Sequence, residues 1–192
     1  LKVSSSFKSE ILFDNKVSKL EKKDIEIIIS DFDDTIFCRN EQLEKSELLR
    51  TNRWNAWNDI ILSTIGLENY INEFYKWKKF PNDIVSKMNK NHDLILTAWY
   101  KVLQDAKLTA TNLIDKLNYI VVEKAENKIL ETIRYVVEDL WFIPSKITVY
   151  EDRPNYFIDN KDIIEKYLNT KLEVFFVEMI DNYTSPKTKK VA

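Results

Sequence analysis

The sequence predicts a doubly wound, mainly parallel five-stranded α/β sheet with a helical cap inserted after the first strand. Three observations carry this. Five short runs rich in β-branched residues, several of them apolar at consecutive positions, read as strands covered on both faces. Stretches with a helical apolar period alternate with those runs. The chain of 192 residues is 44% apolar, enough for one sizeable core with room for an inserted subdomain.

The elements follow in order. Residues 25–30 form the first apolar run and lead directly into Asp31-Phe32-Asp33-Asp34-Thr35. A long insert comes next, with Trp54, Trp57, Ile61 and Ile65 at helical spacing and Gly66 placed to end that helix. Leu67, Tyr70, Ile71, Phe74 and Trp77 continue as a second helix before Pro81. At this spacing Trp54 and Trp57 read as core, with base stacking as the alternative. Strands follow at residues 94–97, 118–122, 146–150 and 172–177. Ile129, Ile133, Val136, Val137 and Leu140 share one helical face that Pro144 closes, and Ile163, Ile164, Tyr167 and Leu168 form another. The tail through Ser185-Pro186-Lys187 is expected to fray. Residues 1–37 and 94–192 then make the core domain, and 38–93 the helical insert.

Composition narrows the chemistry. One cysteine (Cys38) and one histidine (His92) exclude a disulfide framework and a Cys/His zinc site. Any metal would therefore be held by oxygen, which points to magnesium. A single glycine, Gly66, excludes a P-loop and a GxGxxG fingerprint. Basic and acidic residues nearly balance, 29 against 31, so no general field draws the chain to nucleic acid or membrane. No segment is long and apolar enough to span a bilayer, and the opening LKVSSSFK has no signal-type apolar run. The expected location is cytoplasmic. Cys38 reads as a small buried hydrophobe and His92 as a loop residue.

Acid gathers at strand ends. In an open parallel sheet, ligands bind outside the carboxyl ends of the strands. The first run ends in Asp31, Asp33 and Asp34, and the fourth in Glu151-Asp152-Arg153. Like charges converging there are tolerable with a divalent cation between them. Alone, DFDDT fits an acidic loop capping a helix, and Glu151-Asp152-Arg153 a surface ion pair.

Three motifs stand together. IIISDFDDTIF resembles the hhhhDxDxT motif of the haloacid dehalogenase-like (HAD) phosphohydrolases. LILTA resembles their second motif, and VYEDR their acidic fourth. The run ILTAW…K…VYEDRPNYF further resembles the Swiss-army-knife RNA-repair-like HAD domains, although Asn155 or Tyr156 stands where a histidine is expected. Glycines that the family often carries in its first and second motifs are replaced by Asp34 and Ala98, and Trp99 replaces a small or polar residue.

The resemblance implies a Rossmann-like sheet and a magnesium-dependent phosphohydrolase working through an aspartyl-phosphate. Asp31 would be the nucleophile, and Asp33 the general acid and base. Thr97 would hold a phosphate oxygen, and a lysine would neutralise the phosphate, either Lys128 or Lys124. Magnesium would be bound by Asp31, Asp152 and the Asp33 backbone carbonyl, with Glu151 adjacent. The substrate would be a phosphorylated small molecule or a nucleic-acid end. A catalytically silent module of the same fold, or a phosphotransferase, are the alternative functions.

Overall fold

The computed structural model describes residues 14–39, 65–78 and 83–192. Its strands are β1 (Lys22–Ser30), β2 (Leu94–Ala98), β3 (Asn118–Val122), β4 (Ile143–Glu151), β5 (Lys171–Glu178) and β6 (Lys187–Lys190), and they pair in the order β3-β2-β1-β4-β5-β6. The first five are mutually parallel, which the buried apolar runs favour because both faces are covered. The sheet therefore has six strands where five are expected. β6 pairs antiparallel with β5, Phe176 opposite Lys189. The tail that reads as frayed is thus an edge strand. Lys-Thr-Lys-Lys is exposed throughout and has no apolar alternation, so its strand state comes from the partner ladder and not from local pattern.

Helices among the described residues are α1 (Asp14–Val17), α2 (Leu67–Phe74), α3 (Asp83–Lys87), α4 (Lys101–Ala110), α5 (Lys128–Arg134), α6 (Asn155–Asp159) and α7 (Lys161–Leu168). They cover the two faces of the sheet separately. On one face Leu103 and Leu108 of α4 meet Ile95, Phe32 and the α2 aromatics Tyr70 and Phe74. On the other, Ile129 and Ile133 of α5 and Ile164 and Leu168 of α7 meet Ile27, Ile29, Leu96 and Val149. Leu94 and Leu96 point to one side and Ile95 to the other, as the two-residue period of a strand requires. Each fully buried aliphatic side chain contributes about 1.5–3 kcal/mol of transfer free energy.

Three local expectations change. The face built on Ile129 and Ile133 is α-helical only to Arg134. Residues Tyr135–Leu140 form a π-helical turn, and Trp141 stops it at φ 59°. Pro144 does not close that helix; it is the second residue of β4, opposite Lys23, near a strand start where a missing N–H is tolerated. Trp77 leaves the α2 face: it sits in the following turn at φ 64° and is 86% exposed. Gly66, with φ 75°, directly precedes α2, whereas the helix it was read as ending, with Trp54, Trp57 and Ile61, lies outside the described residues. No helix among the described residues is long and apolar enough to cross a membrane.

The strand order places β1 between β2 and β4. The chain winds outward from β1 to β2 and β3, then returns to the other side for β4 and β5. The crevice past the carboxyl end of β1 is thus the topological switch point, where such sheets bind ligands.

Candidate active site

The segment after β1 folds into a tight loop. Asp31 N–H donates to Tyr150 O at 3.0 Å and so extends the β1–β4 ladder by one residue. Phe37 N–H returns to Phe32 O at 3.0 Å, and Asp34 N–H donates to Phe37 O at 2.7 Å. Aromatic rings brace the loop from beneath: Phe37 stacks on Tyr75 with centroids 4.5 Å apart, and Phe32 lies 6.0 Å from Phe37. Such pairs add about 0.5–1.5 kcal/mol each beyond burial. Asp34 takes φ 60°, a left-handed conformation that suits glycine and that aspartate tolerates.

Three acids meet at the crevice. Asp31, Glu151 and Asp152 each offer an oxygen within 4.8 Å of the other two. Lys128, at the first position of α5, reaches over from the next strand unit, with Nζ 3.0 Å from Asp31 Oδ1 and 2.7 Å from Glu151 Oε2. Burial disfavours the Lys128 ammonium, yet the charges of Asp31 and Glu151 outweigh it and raise its pKa. Arg153 keeps its Nε 3.5 Å from Asp152 Oδ2, so three acids face two cations. Burial, then the charge of Asp31, push Glu151 well above the usual carboxylate range, against the pull of Lys128. The same two causes raise Asp152 to about 6.

The neighbouring acids are already neutralised. Asp33 is gripped by Lys107 of α4, whose Nζ lies 2.8 and 3.1 Å from its two oxygens. Gln104 Nε2 donates to Asp33 Oδ2 at 3.0 Å, and Tyr75 OH to Oδ1 at 3.3 Å. Burial pushes the Asp33 carboxyl up, but Lys107 and Arg39 reverse this and hold it at about 2. Lys107 is 1% exposed, and burial lowers its pKa despite Asp33. Asp34 pairs with the Arg39 guanidinium and accepts the Arg39 N–H at 2.8 Å. Among the crevice acids, those that burial and mutual repulsion push up are therefore Glu151 and Asp152.

Those residues fit a small divalent cation. Asp152 Oδ1 is buried with no hydrogen-bond partner, whereas Asp31 Oδ1 is held 3.0 Å from the Lys128 ammonium. A buried carboxylate oxygen without a partner is costly unless a cation takes its lone pairs. An all-oxygen donor set suits magnesium.

Other residues that the sequence pointed to fall into place around this centre or away from it. Thr97, near the end of β2 opposite Val121, is buried and lines the crevice with Asp31 and Lys128. Lys124 is exposed in the turn after β3 and lies outside the lining. Tyr156 and Arg153 line the crevice, whereas Asn155 does not. Cys38 is buried against Ile84, Val177 and Met179, and His92 caps a loop through Nδ1 to Asp93 Oδ1 at 2.8 Å. Lys107, Gln104, Arg39 and Tyr75 were not singled out by the sequence. A signal for the first two exists: with Leu103 and Leu108 they complete one face of a helix, so a lysine stands on an apolar stripe.

Compared with known proteins, the chain matches no family model, no curated protein and no solved structure.

Proposed function

We propose that the protein is a magnesium-dependent HAD-type phosphohydrolase that cleaves a phosphomonoester through an aspartyl-phosphate on Asp31. One observation supports this reading: Asp31, Glu151 and Asp152 bring oxygens within 4.8 Å of one another at the switch point of the sheet, with Lys128 bridging Asp31 and Glu151. A structural acidic cluster has no need to gather there, and a phosphate site does.

Asp31, Asp152 and the Asp33 backbone carbonyl would hold the ion, with Glu151 beside them. When bound, it screens the approaching phosphate from the carboxylates and polarises its oxygens. Asp31 then attacks phosphorus, and the bond to the leaving oxygen breaks as that oxygen takes a proton. Lys128 holds the nucleophile and offsets phosphate charge, and Thr97 offers its hydroxyl to a phosphate oxygen. In the second half water attacks the same phosphorus, its proton passes to a carboxylate, and Asp31 is regenerated.

The ion pair with Lys107 keeps Asp33 a carboxylate, with a pKa of about 2, and so makes it a weak base. For either proton transfer it must be released from Lys107 and Tyr75. The same clamp favours a second reading, a catalytically silent module of this fold. A screen of nucleotides, sugar phosphates and end-phosphorylated oligonucleotides, with magnesium or with chelator, separates the two. Phosphate release that requires magnesium supports the enzyme, and none across the panel supports the silent module.

A further inference from the structure

β2 ends at Ala98, and the backbone then turns through Trp99 with φ 99°. For a bulky L residue this is a true outlier, a strain that glycine would avoid. The turn is fixed, since Trp99 N–H donates to Val122 O at 2.9 Å and so ties it to β3. Packing covers only part of the indole, which is 42% exposed and lines the crevice beside Asp31 and Thr97. Unlike Trp77 and Trp141, which also take positive φ, Trp99 combines its strain with a place beside the reaction site, and that points to contact with a ligand.

The surroundings narrow that ligand. β2 and β4 flank β1 on opposite sides, so Trp99 stands on one side of Asp31, and Arg153 and Tyr156 stand on the other. Arg153 keeps its Nε 3.5 Å from Asp152 and is half exposed. Away from the acids and Lys128, the described lining is ring, guanidinium and small side chain. Flat apolar faces with adjacent positive charge suit stacking on a planar ring.

Resting on the phosphohydrolase reading, we propose that Trp99 determines specificity by selecting phosphomonoesters whose leaving group carries a planar aromatic ring, which stacks on its indole. The experiment is calorimetric binding to the full chain carrying Asp31→Asn, which prevents turnover, in magnesium. The probes are adenosine monophosphate, glycerol phosphate and inorganic phosphate. Adenosine monophosphate should bind about tenfold or more tighter than glycerol phosphate. Adding Trp99→Ala should remove most of that ratio, and Trp99→Phe should keep most of it. Trp99→Gly should also lose the ratio while melting no lower than the parent, because glycine relieves φ 99°. A ratio that survives Trp99→Ala, or its absence in the Trp99 protein while inorganic phosphate still binds, overturns the stacking role alone. A clear fall in Tm for Trp99→Gly assigns the indole to packing and overturns it too. If none of the three probes binds the Trp99 protein, and wild type in magnesium releases no phosphate from adenosine monophosphate or glycerol phosphate, the phosphohydrolase reading falls and the proposal falls with it. If wild type does release it, equal kcat/KM for the two esters overturns the stacking role alone.

Discussion

Lys107→Met tests whether the Asp33 carboxylate is held by charge. Methionine keeps much of the lysine volume and removes the ammonium, which sits 2.8 Å from Asp33 Oδ2 in a site where Lys107 is 1% exposed. Removing one partner of a buried pair costs about 3–5 kcal/mol, because the other charge stays buried. Asp33 would keep Gln104 at 3.0 Å and Arg39 at 3.9 Å, so the lower end, roughly 3 kcal/mol, applies. For a chain of this size that is a fall in Tm of about 6–12 °C. In an Asp33→Asn background the same substitution should cost less than about 1.5 kcal/mol, since no carboxylate is left unpaired. Urea unfolding of the four proteins at pH 7 measures the cycle. The acid limb gives a second check. Asp33 is held at about 2, below its ordinary 3.8, so the stabilisation it supplies is present above 3.8 and fades as pH falls towards 2. The gap between wild type and Lys107→Met should therefore shrink over that window. A cost below about 1 kcal/mol, or an equal cost in both backgrounds, refutes a charge-held Asp33.

The metal centre gives further expectations. In chelator at pH 7, Asp152→Asn should melt above wild type, because it removes one of three mutually repelling acids. Asp152 is raised to about 6 in the fold, so the folded protein binds its proton more tightly than the unfolded chain. Stability from this group is thus full below about 4 and lost as pH rises to about 6, and the advantage of the asparagine variant should vanish by pH 4. Thermal melts across that range measure it. With an affinity of about 1 mM, ~10 mM magnesium should stabilise wild type by roughly 1.4 kcal/mol, or about 3–6 °C, and Asp152→Asn should abolish most of that rise.

The sheet is legible because β2 and most of the carboxyl-terminal half of β1 and of β4 are buried, and such strands read as apolar runs whatever they pair with. Asp31, Asp33, Thr97, Glu151 and Asp152 are legible for a related reason: each stands at or just past the carboxyl end of one of those runs. Two kinds of feature are not. β6 has no apolar alternation of its own, and the helical period of Val136, Val137 and Leu140 does not announce the π-helical register of Tyr135–Leu140; both are set by the ladder and packing around them. Helix α4 was not named in the sequence because its buried face is two leucines beside Gln104 and Lys107, an unpromising stripe until Asp33 is known to lie under it. Lys107 and Asp33 are 74 residues apart, and nothing in the local pattern of either announces the other. The choice between Lys124 and Lys128 likewise needs three dimensions. Only Lys128, on the first turn of α5, reaches Asp31.

The most direct test is the rate of phosphate release from a phosphomonoester by wild type and Asp31→Asn, each with magnesium and with chelator. Asparagine keeps the volume of Asp31 and cannot form the aspartyl-phosphate, so a nucleophilic Asp31 predicts a loss on the order of 10³-fold or more in the variant. A comparable loss is expected for wild type in chelator. Release by Asp31→Asn at the wild-type rate, or release indifferent to magnesium, would contradict covalent catalysis at this site.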